Sequence, residues 1–287
     1  MVQEDLKPIQ SLDLSMWGKG RMDEKENKLD WQQLSERDCL ARLKTSQWTN
    51  FYQDESAVTQ LLDGAPAKLQ AAIEKWQAAK KAEESRLQQL LCYEKALWQQ
   101  GVKYIAGVDE VGRGPIAGPV VAAAVILPPG CYLYGVNDSK KLSEKKRLEL
   151  EGIIKTKAVA WAIGAVGAHV IDQVNILQAS LLAMEKAIRL LPVQPQHLLL
   201  DAVSLPRVSL LQTSLIKGDA KSCSIGAASI LAKCHRDRMM KYYDQLYPEY
   251  GLAGHSGYPT KAHKEAVFAF GYSKIHRRSF ALKPIKK

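Results

Sequence analysis

The segment from Ile105 to Val121 reads IAGVDEVGRGPIAGPVV and places two adjacent carboxylates, Asp109 and Glu110, directly after a short apolar run. A run of this length and composition favours a buried strand. Two acids on a buried strand repel each other and lose hydration unless a cation lies between them. A single Asp-Glu pair is also common in exposed turns. The pair alone therefore leaves two interpretations open, a divalent-metal site and a surface turn.

Two further acids stand beside apolar segments. Asp201 ends the run LLLD, and Asp219 comes just before a long apolar stretch that starts near Ser222. Strand ends in an α/β sheet are where ligand groups converge. Taken singly, Asp201 is compatible with a turn, and Asp219 with a helix N-cap. Oxygen ligands suit Mg²⁺ or Mn²⁺, and the sequence offers no Cys/His set with zinc spacing.

The hydrophobic pattern predicts the elements that must position these acids. Strands joined by short links are expected over 104–108, 120–127 and 158–166, followed by a helix from Ile171 that ends at Leu191 before Pro192. A fourth strand over 197–200, a fifth near 212–216 and a long helix over 222–246 complete the order. This succession predicts an α/β fold with a mixed sheet flanked by helices.

The N-terminal third differs from the remainder. Residues 1–100 contain five of the six tryptophans and show helical periodicity from Pro66 onwards. We expect a mainly helical extension over 1–100, with its first 28 residues or so disordered, and a catalytic domain over 101–287. The extension is expected to modulate substrate affinity without supplying a catalytic group.

Charge is unevenly distributed along the chain. Residues 1–100 carry 14 Lys or Arg against 16 Asp or Glu, whereas residues 101–287 carry 26 against 14. No acid follows Glu265, while basic residues accumulate. A basic half that also contains the motifs indicates a phosphate-backbone ligand, although the last four residues are equally typical of a solubilising tail.

Several classes of protein are disfavoured. The five cysteines show no CxxC spacing and are odd in number, which favours reduced thiols in the cytoplasm. The N-terminus lacks the apolar core of a signal peptide, and no run approaches the ~18 apolar residues of a membrane span. We expect a cytoplasmic protein without membrane contact.

Seven ordered segments between residues 104 and 282 resemble those of type 2 ribonuclease H, the ribonuclease HII family. They read GVDEVGRGPIAGPVVAAAVIL from Gly107, NDSKKLS from Asn137, NILQASLLAM from Asn175, LLLDAV from Leu198, KGDAKSCSIGAASILAKCHRDRMM from Lys217, GYPTKAH from Gly257 and GYSKIHRRSF from Gly271. The resemblance implies a ribonuclease H-like fold and a metal-dependent endoribonuclease. Its substrates would be RNA/DNA hybrids and duplex DNA with single embedded ribonucleotides, and its roles ribonucleotide removal from DNA and RNA primer degradation.

The resemblance also assigns roles to the acids. Asp109, Glu110, Asp201 and Asp219 match the family's metal-binding and catalytic positions. They imply a two-metal phosphodiesterase site with Mg²⁺ or Mn²⁺ that leaves 5′-phosphate and 3′-hydroxyl ends. The sequence does not divide the four acids between the two metals.

Substrate contacts are expected at six positions. Gly112, Arg113 and Gly114 match the Gly-Arg-Gly element that approaches the ribose 2′-hydroxyl, and Tyr258 matches a tyrosine that stacks beside the same nucleotide. Lys140 and Lys221 are expected to contact phosphates, and Arg277 is a further candidate for such a contact. The histidines at 255, 263 and 276 lack metal-ligand spacing and are interpreted as structural.

Other functions remain possible at this point. A catalytically silent hybrid-binding protein would use the basic surface alone, but all four acids are present. A resolvase or exonuclease on the same fold would not need the Gly-Arg-Gly element or Tyr258. The sister family, type 3 ribonuclease H, has Gly-Thr-Gly in place of Gly112-Arg113-Gly114, which favours type 2 here.

Overall fold

The computed structural model describes residues 35–45 and 65–282, so the disorder expected for the first 28 residues lies outside the described part. Three helices come first: α1 (Glu36–Thr45), α2 (Ala67–Leu90) and α3 (Cys92–Gln99). The chain divides into two compact units, the second of which is Lys75–Lys287. The second unit therefore begins before the boundary predicted at residue 100 and includes α3.

A five-stranded sheet forms the centre of the second unit. Its strands are β1 (Ile105–Val111), β2 (Val120–Ile126), β3 (Ala160–Val166), β4 (His197–Asp201) and β5 (Leu211–Leu215). Their order across the sheet is β3-β2-β1-β4-β5. The β1–β2 and β2–β3 pairs are antiparallel, and the β1–β4 and β4–β5 pairs are parallel. The predicted mixed sheet is confirmed.

Helices cover both faces of this sheet. Alternate residues of a strand point to opposite faces, and every residue of β2 is buried. Val121, Ala123 and Val125 pack in the same apolar cluster as residues of helix α6 (Cys223–Leu246). The intervening positions of β2 pack in a second cluster with helix α5 (Ala168–Arg189). The burial of both faces of β2 explains why its sequence is apolar throughout and does not alternate with polar residues.

Two glycines allow this close packing. A Cβ at Gly107 would lie 2.1 Å from the backbone carbon of Ser224 at the start of α6. A Cβ at Gly164 would lie 2.2 Å from the carbonyl oxygen of Ala183 in α5. Both close contacts are with backbone atoms, so a side chain at either position would force the helix away from the sheet.

The link between β2 and β3 differs from the short connection predicted. It contains helix α4 (Glu144–Lys157), which begins after Ser143, whose hydroxyl accepts a hydrogen bond from the N–H of Lys146. Leu150 and Ile154 are buried in the same cluster as α6. The prediction of a short link is wrong for β2 to β3, because this cap and an i, i+4 apolar pair form a helix among many charged residues.

Helix α5 is interrupted at Asn175, whose φ of 68° lies in the left-handed region. The side-chain oxygen of Asn175 accepts hydrogen bonds from the N–H groups of Leu177 and Gln178, so it caps the second half of the helix. Two short helices follow α6: α7 (Leu252–His255) and α8 (Lys261–Phe270). In the described part of the chain, no helix is both long and apolar enough to cross a bilayer.

Candidate active site

Asp109 and Glu110 lie within β1, rather than after the first strand as the sequence suggested. Asp109 is 6% exposed, and its Oδ1 accepts a hydrogen bond of 2.8 Å from the N–H of Glu110. Burial raises the pKa of Asp109 well above its ordinary value, and the negative charges of Glu110 and Asp201 raise it further. The surface-turn interpretation of this pair is therefore wrong.

Glu110 has a cationic partner on the loop that follows β1. Nη1 of Arg113 lies 3.3 Å from Oε1 of Glu110, with the guanidinium about half exposed and the carboxylate largely buried. Burial raises the pKa of Glu110, and Arg113 acts in the opposite direction. The pair therefore links the carboxylate to the glycine-flanked arginine.

Asp201 ends β4, the parallel neighbour of β1. Asp109 and Asp201 each lie one residue beyond the last pair in the register between these strands. The N–H of Gly218 donates a 2.6 Å hydrogen bond to Oδ1 of Asp201. A Cβ at Gly218 would lie 3.3 Å from that oxygen and 2.7 Å from Ile225. The absence of a side chain lets this turn approach the end of β4.

Asp219 lies in a short 3-10 turn, Gly218–Ala220, ahead of α6. The N-cap of α6 is Ser222, whose hydroxyl accepts from the N–H of Ile225, so Asp219 is not the cap. Burial raises the pKa of Asp219, and the charges of Asp138 and Asp201 add to this shift, whereas Lys140 opposes it. Asp219 directly follows Gly218, whose N–H binds Asp201, so the turn brings Asp219 to the end of β4.

The four predicted acids therefore come from three elements that meet at one edge of the sheet. Their charges act on one another: Asp201 raises the pKa of each of the other three. Within residues 35–45 and 65–282, however, no three Asp, Glu, His or Cys side chains are close enough to hold one ion together. Hydrogen bonds from Glu110 and Gly218 orient Asp109 and Asp201, and Arg113 engages Glu110.

The loop over residues 112–114 and Tyr258 lie side by side. A Cβ at Gly114 would be 3.4 Å from Cε1 of Tyr258, and the Tyr258 side chain is 46% exposed. The N–H of Ile116 donates to the carbonyl of Gly257, which joins the two segments. An open aromatic face therefore stands beside a loop position without a side chain.

Lys140 and Lys221 are both exposed. Lys140 belongs to the short 3-10 turn that Asp138 caps, and its charge lowers the pKa of Asp219. Lys221 ends the turn that carries Asp219. The expectation for Arg277 is wrong, because this side chain is 0% exposed and all three of its nitrogens donate to backbone carbonyls.

These observations agree with the comparison with known proteins. The sequence model of ribonuclease HII matches residues 106–283. Ribonuclease HII of Bacillus cytotoxicus is 53% identical over 221 residues, which cover 76% of this chain and 84% of the relative. The chain belongs to the ribonuclease HII family. It is accordingly a hydrolase of the endoribonuclease H class, as the resemblance of its motifs implied.

Two further relatives agree with this assignment. Ribonuclease HII of Moorella thermoacetica is 52% identical over 202 residues, covering 70% of this chain and 98% of the relative. The crystal structure of ribonuclease H2 from Pyrococcus horikoshii superposes with a TM-score of 0.53 at 28% identity. That match covers 62% of this chain and 93% of the archaeal one. The ribonuclease H-like fold is confirmed.

A chain of neutral imidazoles supports the Tyr258 segment. The N–H of Ser273 donates to Nδ1 of His276, so Nε2 of His276 carries the proton and donates to Nε2 of His263 over 3.1 Å. His263 then donates from Nδ1 to the carbonyl of Tyr258 over 2.9 Å. Burial, and then the charge of His263, lower the pKa of His276 to about 4. The histidines therefore position Tyr258 through its backbone, consistent with their structural interpretation.

The burial of neutral His276 predicts that the protein loses stability when the pH falls. The pKa of His276 is about 4 in the folded protein and 6.5 ordinarily, so the unfolded chain binds the extra proton between these values. The stabilisation is complete above about pH 6.5 and is lost as the pH falls towards 4. Between pH 7 and pH 5 we expect His276 to account for about 2 kcal/mol of lost free energy of unfolding. Urea denaturation of the wild type and of His276→Gln at pH 7 and pH 5 measures the free energy of unfolding. An equal loss between the two pH values in both proteins would contradict the prediction.

Two buried polar side chains with structural roles were missed from the sequence. Glu94 of α3 is buried, and its Oε1 accepts hydrogen bonds from the hydroxyls of Ser222 and Ser224 and from the N–H of Ser224. This carboxylate therefore fixes the start of α6, close to the Asp219 turn. Arg236 of α6 is 1% exposed and donates to backbone carbonyls of the segment after β1.

Proposed function

We propose that this enzyme cleaves the RNA strand of RNA/DNA hybrids and also duplex DNA at a single embedded ribonucleotide, in a reaction that depends on divalent cations. The observation that carries this proposal is the group of four carboxylates that β1, β4 and the turn before α6 bring to one edge of the sheet. Such a concentration of negative charge is unfavourable unless cations bind to it. Carboxylate oxygens are the ligands that Mg²⁺ and Mn²⁺ prefer.

Asp109, Glu110, Asp201 and Asp219 would hold the cations. A bound pair of such ions supplies an activated water on one side of the phosphorus and stabilises the leaving oxygen on the other. Hydrolysis would bond the water oxygen to phosphorus and break the bond from phosphorus to the 3′ oxygen, and the proton that the water loses would balance the proton that the 3′ oxygen takes up. The products are a 5′-phosphate and a 3′-hydroxyl. Among the described residues no three of these side chains are close enough to hold one ion, so we expect cation binding to draw them together.

The 112–114 loop and Tyr258 provide the selection for a ribonucleotide. The 2′-hydroxyl is the group that distinguishes RNA from DNA at a given position. Gly114 is exposed and has no side chain, so a sugar can approach its backbone while a base or ribose packs on the exposed Tyr258 ring. Lys140 and Lys221 are exposed, and their positive charges would bind the flanking phosphates.

We also place the enzyme in the cytoplasm. Cys92, Cys131, Cys223 and Cys234 are free thiols, as expected of a reducing compartment.

The test is a cleavage assay on a labelled DNA duplex with one embedded ribonucleotide, with Mn²⁺ or Mg²⁺ and with EDTA. The control is the same duplex without the ribonucleotide. We expect one cut with either metal, no cut in EDTA, and no cut in the control. A product that a DNA ligase joins to a 3′-hydroxyl acceptor confirms the 5′-phosphate. Cleavage that persists in EDTA would contradict the proposal.

Tyr258→Ala should reduce kcat/KM on the single-ribonucleotide duplex by roughly 5- to 150-fold, the range expected for loss of one aromatic stacking contact. Tyr258→Phe keeps the ring and is the matched control, with a smaller expected loss. Affinity for plain duplex DNA, measured by fluorescence anisotropy, should stay unchanged because the basic surface is intact. An equal loss on both nucleic acids would show that Tyr258 supports the fold instead.

A further inference from the structure

The loop over residues 112–114 rests on a buried guanidinium. Arg277 is 0% exposed, and its Nη2 donates to the carbonyl of Gly112 over 2.6 Å. Nη1 donates to the carbonyl of Arg113 over 3.0 Å, and Nε donates to the carbonyl of Gly118 over 3.0 Å. One planar guanidinium therefore fixes two consecutive carbonyls of the loop and a third carbonyl, that of Gly118, just before β2.

This arrangement is costly for stability. Burial, with the neighbouring charge of Arg236, lowers the pKa of Arg277 to about 9. Neither arginine forms an ion pair with a carboxylate in the part of the chain that the structure describes. A buried cation without a counter-charge destabilises a protein even when carbonyls solvate it. A residue that served packing alone would be better replaced by an apolar side chain.

The orientation of the loop shows what the guanidinium achieves. The described chain contains no cis peptide bond, and in a trans peptide the carbonyl and the following N–H point in opposite directions. Because the carbonyls of Gly112 and Arg113 face the buried Arg277, the N–H groups of Arg113 and Gly114 face the other way. Both residues are exposed, and among the described residues neither N–H has a backbone acceptor. Two adjacent donors are thus directed outward beside Tyr258.

We propose that Arg277 is a positioning residue that sets the peptide planes of the 112–114 loop, so that the N–H groups of Arg113 and Gly114 meet acceptor oxygens of the ribonucleotide at the cleavage site. This inference rests on the proposed function. Arg277 itself does not touch the substrate; it determines the direction of the donors that do. Its effect should therefore appear in the preference for a ribonucleotide, beyond any effect on stability.

Arg236 provides a matched control within the same chain. It is 1% exposed, and it also donates to three backbone carbonyls, those of Pro119, Ser256 and Ala117. None of these acceptors belongs to residues 112–114, so Arg236 fixes no peptide plane of the loop, although its side chain packs against Gly112. Replacement of either arginine by lysine keeps the charge but leaves a single nitrogen, which cannot hold carbonyls that are fixed by a planar fork.

The experiment compares wild type, Arg277→Lys, Arg277→Gln and Arg236→Lys. The affinity of each protein is measured in EDTA for a duplex with one embedded ribonucleotide and for the all-DNA duplex of the same sequence. We expect wild type to prefer the ribonucleotide, and Arg277→Lys to reduce this preference by about fivefold or more, as for the loss of aligned hydrogen bonds. Arg236→Lys should keep the preference within about twofold, while both lysine variants lower Tm.

Arg277→Gln carries no charge and therefore avoids the cost of a buried cation if the lysine variant does not fold. A preference close to that of wild type in a folded Arg277 variant would overturn the inference. So would an equal loss in Arg236→Lys, or failure of both Arg277 variants to fold, since the role would then be structural. Absence of any preference in wild type would instead overturn the proposed ribonucleotide specificity, on which the inference rests.

Discussion

Asp109→Asn should lower the rate of cleavage by about 10³-fold or more at saturating Mn²⁺ or Mg²⁺, while binding to an RNA/DNA hybrid is retained. The substitution keeps the size of the side chain and removes a charge from the group of four acids. An amide binds a divalent cation more weakly than a carboxylate does, and the electrostatic contribution of a bound cation is worth several kcal/mol in the transition state. Asp201→Asn should behave in the same way.

The metal-free protein should not lose stability through Asp109→Asn. The carboxylate of Asp109 is buried beside Glu110 and Asp201, and this environment raises its pKa. A neutral side chain relieves the repulsion, so we expect an unchanged or higher Tm in EDTA, as in other sites where function opposes stability.

Single-turnover cleavage, hybrid affinity in EDTA and thermal unfolding together measure these effects. Glu144→Gln is a suitable control, because it removes one negative charge from an exposed pair with Lys241. It should leave cleavage within about twofold of wild type, as is usual for surface ion pairs. Near wild-type turnover by Asp109→Asn at saturating metal would refute the assignment of this acid.

The strands, and the positions of the four acids relative to them, could be predicted because their signals are local. β2 and β4 are apolar runs buried on both faces, and the four acids stand at the ends of such runs or beside them. Helix α4 was missed because its buried face contributes few residues, chiefly Leu150 and Ile154, among many charged ones. A periodicity of 3.6 is weak when the apolar stripe is so narrow.

The burial of Arg236 and Arg277 could not be predicted from local signals in the same way. Arg277 follows His276 in a basic segment, and in a chain of positive net charge such residues suggest phosphate contacts. Its burial depends on carbonyls more than 150 positions away in the sequence. Arg236 did leave a signal, since Ala232 and Met240, four residues before and after it, are buried apolar positions of α6. An arginine on that stripe is expected to face inward.

The sequence did not show where the extension ends, because α2 and α3 are amphipathic helices and the residues that they pack against lie elsewhere in the chain. Leu87, Leu90 and Leu91 belong to the apolar cluster that joins β2 to α6. Leu97 and Trp98 of α3 pack against a smaller cluster that includes Ile105 and Ile225. These contacts join the end of α2 and α3 to the compact unit Lys75–Lys287 that contains the sheet.

Removal of α2 and α3 by truncation should have a large effect on the stability of the protein. The sequence predicts that a protein starting near Gln100 folds and cleaves with a changed KM. The structure leads to the opposite expectation, because that truncation removes three buried leucines, at roughly 2–5 kcal/mol each when such side chains are deleted, together with Glu94. A domain of marginal stability, about 5–15 kcal/mol in total, does not tolerate this loss. We therefore expect residues 100–287 to be insoluble or unfolded.

A protein that starts at Ala65 retains all of α2 and α3 and should fold and cleave with a kcat near that of the full chain. Glu94→Ala in the full chain is the matching point variant: it leaves the N–H of Ser224 and two buried hydroxyls without their acceptor, at a cost of about 1–3 kcal/mol for a buried donor. Glu94→Gln keeps an acceptor oxygen and should cost less. Circular dichroism, thermal unfolding and cleavage of the single-ribonucleotide duplex provide the measurements. A soluble, active protein starting at Gln100 would show that α2 and α3 are dispensable, whereas a folded but inactive protein starting at Ala65 would locate a catalytic contribution in residues 1–64.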